Sequence, residues 1–299
     1  KWALKINPDY LGVLKNMGSA LFQKGDFCAA IDTYKRVIAI EPDAADAYFS
    51  MAAAVHKYGS PDGAIKNYKR AIEIKPDFFE AYFSMGVVLQ RDKGELVAAI
   101  DSYKKAIKIK PDYAEAYNNM GSALLSEADL DAAIDSCRQA IKLKPDYAEA
   151  HNNLGNALMD KGDLNAAINS YKRAVKIKPD FAGAYNNLGR AFLDDRDPGA
   201  AIDSCKRAIK IKPDFADAYN NMSLALLTDR KFKKGFELQE WRWKVKQPIG
   251  SELLTSKPLW SGEKDQTVFI WSEQGIGDVI MFASLIPELH AVSAKVIVQ

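Results

Sequence analysis

The residues best suited to recognition chemistry in this chain are asparagines, and they recur at a fixed interval. Asn16, Ser50, Ser84, Asn119, Asn153, Asn187 and Asn221 occupy one position of a repeating pattern. In the last four copies the preceding residue is also asparagine: Asn118, Asn152, Asn186 and Asn220. A carboxamide carries both donors and an acceptor. A row of them, one per copy, suits pairing with an extended peptide backbone whatever its side chains. Asparagine is a mediocre helix former, so its repeated use points to a purpose, although tandem duplication copies a neutral asparagine as readily as a useful one. Phe49 and Phe83 stand where later copies carry the first asparagine of the pair. Two readings of them stand open: an apolar subsite, or rings buried at the edge of the packing.

A second candidate is the glycine-rich turn at Gly275, Gly277 and Asp278. Such a turn between a strand and a helix N-terminus suits an anion, because free amides and the helix dipole both point there. It lacks the third glycine of the dinucleotide fingerprint. No catalytic residue, metal site or cofactor is expected. His56 reads as a surface residue. Cys28, Cys137 and Cys205 have neither CxxC spacing nor even pairing, which argues against a zinc site or a disulfide framework and suits a reducing, cytoplasmic setting. The formal net charge of +2 in 299 residues speaks against nucleic-acid binding, which calls for a basic excess or stripe. No run approaches the roughly 18 apolar residues that span a membrane, and no signal peptide is visible.

These residues are positioned by a repeat. Pro-Asp recurs at Pro8, Pro42, Pro76, Pro111, Pro145, Pro179 and Pro213, with spacings of 34, 34, 35, 34, 34 and 34. That period means a stacked array rather than one globular core. Within the copy at 114–147, Tyr117, Met120, Gly121, Leu124 and Leu125 have helical spacing, as do Ala133, Ile134, Cys137, Ala140 and Ile141. Between these two helices, expected over 114–127 and 131–143, other copies carry Gly25-Asp26, Gly94-Glu95 and Gly162-Asp163. Glycine tolerates the left-handed turn and Asp caps the next helix. Asp146 is expected to cap the helix after Pro145. Small residues (Gly18, Ala52, Gly86, Gly121, Gly155 and Gly189) mark close helix approach, and Tyr34, Tyr68, Tyr103 and Tyr171 fill the spaces between.

This pattern resembles the tetratricopeptide repeat (TPR) family: an aromatic at the fourth position, Leu/Met-Gly at the seventh and eighth, Gly-Asp in the turn, alanines in the second helix and a closing proline. The resemblance covers about residues 9–247 in seven units. It implies an all-α, superhelical solenoid of helix-turn-helix repeats whose concave groove binds a protein or peptide segment. Residues 1–8 read as the tail of a truncated upstream repeat. The Tyr/His-Asn-Asn-Leu/Met-Gly string is similar to the repeat domain of the O-linked N-acetylglucosamine transferases, which implies that the asparagines form a peptide-binding ladder.

The pattern ends near Phe232, and the last, degenerate unit is expected to cap the array. Four of the five tryptophans lie beyond residue 240. Residues 248–265 read as a linker. Thr267 to Ser272 reads as a buried parallel strand, residues 279–292 have helical spacing, and a second strand starts at Lys295. The strings at 235–243, 259–263 and 272–278 resemble bacterial repeat proteins carrying a heptosyltransferase-like, GT-B-type glycosyltransferase domain. That resemblance implies that 266–299 opens such a domain and that the parent protein uses a nucleotide-activated sugar. The chain alone is expected to be inactive, with self-association possible through this truncated segment.

Overall fold

The computed structural model describes residues 10–239, 241, 267–270 and 295–298. The expected tail at 1–8 and linker at 248–265 lie outside these residues. The chain divides into two compact units, 1–191 and 192–299.

In the first unit, helices pair as antiparallel hairpins: α1 (Leu11–Lys24) with α2 (Phe27–Ile40), α3 (Ala45–Lys57) with α4 (Pro61–Ile74), α5 (Phe79–Val88) with α6 (Leu96–Ile109), α7 (Ala114–Ser126) with α8 (Leu130–Leu143), and α9 (Ala148–Lys161) with α10 (Leu164–Ile177). The second helices α2, α4, α6 and α8 also pack on the first helix of the next hairpin. Helix α11 (Ala182–Asp194) crosses the boundary between the units.

Sequence accounts for these elements locally. Asp26, Asp129 and Asp163 each accept a backbone N–H three residues on, at the start of α2, α8 and α10. Such caps are worth about 1 kcal/mol. Ser60 caps α4 in the same way, with Pro61 in its first turn. Asp146 does not cap α9: Tyr147 stands at that position without a side-chain cap, as Ala44, Phe78 and Tyr113 do before α3, α5 and α7. The expected turn glycines take the left-handed conformation, with Gly25 at φ 83° and Gly162 at φ 87°. Ala128 takes it without being glycine, at φ 60°, a conformation that costs an L-residue about 1–2 kcal/mol.

The core lies where the small residues predicted it. Ala30, Ala64, Ala99, Ala133 and Ala167 are fully buried, as is Leu14, and Tyr34, Tyr68, Tyr103 and Tyr171 are buried beside them. A Cβ added at Gly18 would sit 2.7 Å from the Tyr34 ring, and one at Gly86 2.7 Å from the Tyr103 ring. Cys137 replaces the tyrosine in its repeat and is fully buried, and its Sγ would lie 2.7 Å from a Cβ at Gly121. The first-helix tyrosines, such as Tyr48 and Tyr117, are only half-buried.

The one 35-residue spacing has a structural cause. The extra residue is absorbed as a π-turn, Leu89–Lys93, at the end of α5 and before Gly94. Its side chains are tied on three sides. Asp92 lies 3.0 Å from His56 Nε2, Lys93 lies 2.9 Å from Asp62, and Gln90 accepts from the Tyr103 hydroxyl and donates to Ser122. His56 is thus a paired residue between hairpins.

The second unit holds α12 (Pro198–Ile211), α13 (Ala216–Thr228) and α14 (Phe232–Gln239). Asp197 caps α12. Ala201, Ile202, Ala225 and Leu226 form its core, with Leu238 of α14 packed against them. The Ser223 hydroxyl donates to the Gly235 carbonyl at 2.8 Å, and Trp241 stacks on Tyr219 with ring centroids 3.9 Å apart. Gly235 is a site of close approach: a Cβ added there would lie 2.6 Å from the Leu227 side chain. Strands β1 (Thr267–Ile270) and β2 (Lys295–Val298) pair in parallel, Thr267 opposite Lys295. The turn at Gly275, Gly277 and Asp278 and the helix expected over 279–292 lie outside the described residues.

Candidate functional site

Helix geometry sets the two asparagines of each pair at different depths. Asn118 and Asn152 are buried, whereas Asn119, Asn153 and Asn187 are half-buried. Residues at i and i+1 point about 100° apart around a helix, so the first amide sinks between repeats while the second stays near the surface. Asn16 is exposed, and Ser50, Ser84, Asn186, Asn220 and Asn221 are half-buried.

The amides of the first unit are joined across repeats. Asn153 donates through Nδ2 to Asn118 Oδ1 at 2.9 Å, and Asn118 donates to Asn119 Oδ1 at 3.2 Å. Asn187 donates to Asn152 Oδ1 and to Asn156 Oδ1, both at 3.0 Å. Two such bonds use both of its amide hydrogens, so the accepting oxygen is what Asn187 has left to offer. Asn156, a residue the sequence pattern did not single out, also accepts from the buried Tyr171 hydroxyl at 2.9 Å. Asn156 and Ser19 each follow directly the glycine of close helix approach and face a second-helix tyrosine hydroxyl, that of Tyr171 and of Tyr34, whereas Gln90 reaches the Tyr103 hydroxyl from four residues beyond Gly86.

Repeats two and three use rings where later repeats use amides. The Phe49 ring lies 5.0 Å from Phe78 and 5.7 Å from Tyr68. The Phe83 ring lies 4.9 Å from Tyr113 and 5.9 Å from Tyr103. Both phenylalanines are half-buried, so each ring is packed on one side and reaches solvent on the other. Burial pushes the Tyr68 and Tyr113 hydroxyls up to about 12. Burial likewise raises Tyr147, to about 12, against the opposing hydrogen bond with Asn118.

Charges near the helix starts are largely neutralised. Lys144 pairs with Glu115, Lys178 with Glu149, and Lys15 with Glu41 and Asp46. Desolvation pushes the Glu149 carboxyl up, but the bond from Lys178 outweighs it and the net shift is downward. Lys110, Lys144 and Lys178 also sit over the rings of Tyr113, Tyr147 and Phe181, 5.5, 4.9 and 5.1 Å from their centroids. Among the described residues no three His, Cys, Asp or Glu side chains are grouped to hold a metal, and no helix is long and apolar enough to cross a membrane.

The family model for the TPR repeat matches residues 18–59, 58–92, 89–127, 123–162 and 155–195, and that for the tetratricopeptide repeat matches 182–215. The chain belongs to the tetratricopeptide repeat family. Proteins of this family generally bind protein or peptide partners. No curated protein sequence matches the chain. Among solved structures it is similar to MamA, at 28% identity over 56% of this chain and 92% of that one, with a TM-score of 0.52. YrrB, described as a TPR protein with an unusual peptide-binding site, is 22% identical over 66% of this chain and 97% of that one, with a TM-score of 0.53. Pseudomonas aeruginosa PilF is 15% identical over 70% and 94%, with a TM-score of 0.61. These last two likenesses are of fold alone. In this TPR chain the asparagines of the row lie on first helices, and both helices of each hairpin contribute buried alanines, such as Ala116 and Ala133.

Proposed function

We propose that this TPR chain is a protein-interaction scaffold whose first helices form a groove for an extended protein or peptide segment. The observation that carries this reading is the asparagine row itself: Asn153 and Asn187 are half-buried, and each is oriented by a bond to the preceding repeat. An amide fixed in this way meets a ligand without losing further side-chain freedom, which lowers the entropic cost of binding. The spent hydrogens sharpen the chemistry. With its N–H groups held by Asn152 and Asn156, Asn187 offers an oxygen to backbone N–H groups of a segment. The peptide-binding description of YrrB is in keeping with this.

The test is selection from a random 12-residue peptide library on the 299-residue chain, followed by fluorescence titration of the selected peptides. Alanine at Asn119 and Asn153 is expected to weaken binding about tenfold, the equivalent of one or two lost hydrogen bonds, in a chain that circular dichroism shows still folded although the lost bonds to Asn118 cost it about 1–3 kcal/mol. Affinity that survives both substitutions would remove the ladder from the binding surface.

A second reading has one observation in its favour, the parallel pairing of β1 with β2 on either side of the Gly275 and Gly277 turn. In it the repeats select acceptors for a nucleotide-sugar-dependent transferase, and the turn serves an anionic group. The intact mass of the native polypeptide tests it: a chain longer by a lobe supports the transferase, and one ending near Gln299 removes it.

A further inference from the structure

The first-helix face of the first unit is not uniform in charge, and this limits what segment it fits. Seven residues along an α-helix return to nearly the same side, so Ser50, Asn119 and Asn153 are followed on their own face by Lys57, Ser126 and Asp160, and in repeat three, where the π-turn Leu89–Lys93 breaks that spacing, the residue seven beyond Ser84 is Arg91. Along successive repeats that stripe reads positive, positive, neutral, negative. Lys57, Arg91 and Asp160 are exposed. None of the three has an ion-pair partner among the described residues, whereas neighbouring charges do: His56 with Asp92, Lys93 with Asp62, and Lys161 with Asp131. The two unpaired cations lie in the same repeats as the two phenylalanines. The Arg91 charge bears on Tyr103, whose ring packs on Phe83, and Lys57 lies two helical turns from Phe49 in α3.

We propose that the segment bound by this chain is dipolar, with an apolar side chain and an acidic one over repeats two and three and a basic side chain over repeat five. This rests on the segment-binding reading above and adds the composition and the orientation of the segment. The physical reason is complementarity. The exposed side of the Phe49 and Phe83 rings gains by covering apolar surface. Lys57, Arg91 and Asp160 carry charge with no internal partner to release, so an opposite charge on the ligand meets them without breaking an existing pair.

The probes are fluorescein-labelled 14-residue peptides titrated into the 299-residue chain at low salt. One carries Glu-Phe near one end and Lys near the other. The second has Ala for Phe. The third exchanges the Glu and Lys. The fourth is a pool of random sequence. Each defined peptide is made in both chain directions. The first is expected to bind best, with losses of about tenfold for the alanine peptide and for the charge-exchanged one. The double variant Lys57→Glu, Arg91→Glu is expected to reverse the charge preference, and Asp160→Lys to remove the preference for the basic end. All three positions are exposed, and unchanged circular dichroism checks the fold.

Equal binding of the first and third peptides, or a preference that the variants leave unmoved, overturns the dipolar assignment while the segment-binding reading stands. Absence of binding by any peptide, the random pool included, overturns both. Self-association of the chain that competes with the first peptide, and is stronger than it, makes a second copy the occupant and overturns the assignment to another protein's segment.

Discussion

Repeats two and three and repeats four and five are all two-helix hairpins, apart from the π-turn in repeat three, yet they join their first helices by different means. In the former, Phe49 and Phe83 pack on the aromatic residues Phe78 and Tyr113, at the entry to the next repeat. In the latter, Asn118 takes the phenylalanine position, accepts from Asn153 one repeat on, and bonds Tyr147, which stands where Phe78 and Tyr113 stand. A ring contact is nondirectional and gains by area, whereas an amide contact is directional and gains little net free energy in water. The aromatic joint therefore contributes more stability, and the amide joint fixes orientation.

The largest effect expected to separate the two regions is alkaline. Tyr68 in the aromatic region is raised by burial from 10.0 to about 12, and Cys137 in the amide region from 9.0 to about 12. Both groups are neutral acids that bind their proton more tightly when folded. Their stabilisation is intact below the unfolded value and is lost as pH rises through the folded one, at about 1.4 kcal/mol per pH unit for each titrating group. Loss of stability should start near pH 9 in repeat four and near pH 10 in repeat two, as read by hydrogen exchange. Equal urea midpoints at pH 8 and 11 would contradict the burial argument.

Next in size is truncation at the joints. Phe49→Ala with Phe83→Ala is expected to cost about 2–4 kcal/mol, below the range for fully buried rings because both are half-exposed. Asn153→Ala with Asn187→Ala should cost about 1–2 kcal/mol. Urea unfolding orders the two, and the reverse order would undo the comparison. Gly155→Ala should cost about 1–3 kcal/mol, because its Cβ would lie 2.5 Å from the ring of Tyr171 and displace the hydroxyl that Asn156 accepts. The smallest effect belongs to the surface. Lys178→Met removes the pair with Glu149 and should shift stability by less than about 1 kcal/mol, and a larger loss would mean that the pair helps hold the hairpin.

Most of the fold could be read from the chain because the repeats draw on a few local devices. The Asp caps at Asp26, Asp129, Asp163 and Asp197, the glycine turns at Gly25, Gly94 and Gly162 and the alanine stripe act over a few residues, and the period aligns the copies that lack one of them. Asp146 departs from its expectation because an aspartate beside a proline has the sequence of a cap without the position of one. In the structure Tyr147 begins the helix with no side-chain bond. The left-handed turn at Ala128 follows from the period, which sets Ala128-Asp129 where other copies carry Gly25-Asp26 and Gly162-Asp163, although the residue type gave no sign of it. The site was half legible. The asparagine positions followed from the period, but which amide sinks and which stays exposed depends on how neighbouring first helices approach.

The sequence alone determined the repeat, its two helices and the core residues of each, because these follow from 3.6-residue periodicity and from turn chemistry within one repeat. Only the tertiary structure decided the pairings between repeats. The ties of the π-turn to His56, Asp62 and Ser122 and the two hydrogens that Asn187 gives to Asn152 and Asn156 each depend on side chains about 30 or more residues apart, and which charges stay unpaired follows from the same packing. Such partners are set by the packing of one hairpin on the next, and no local propensity encodes that packing.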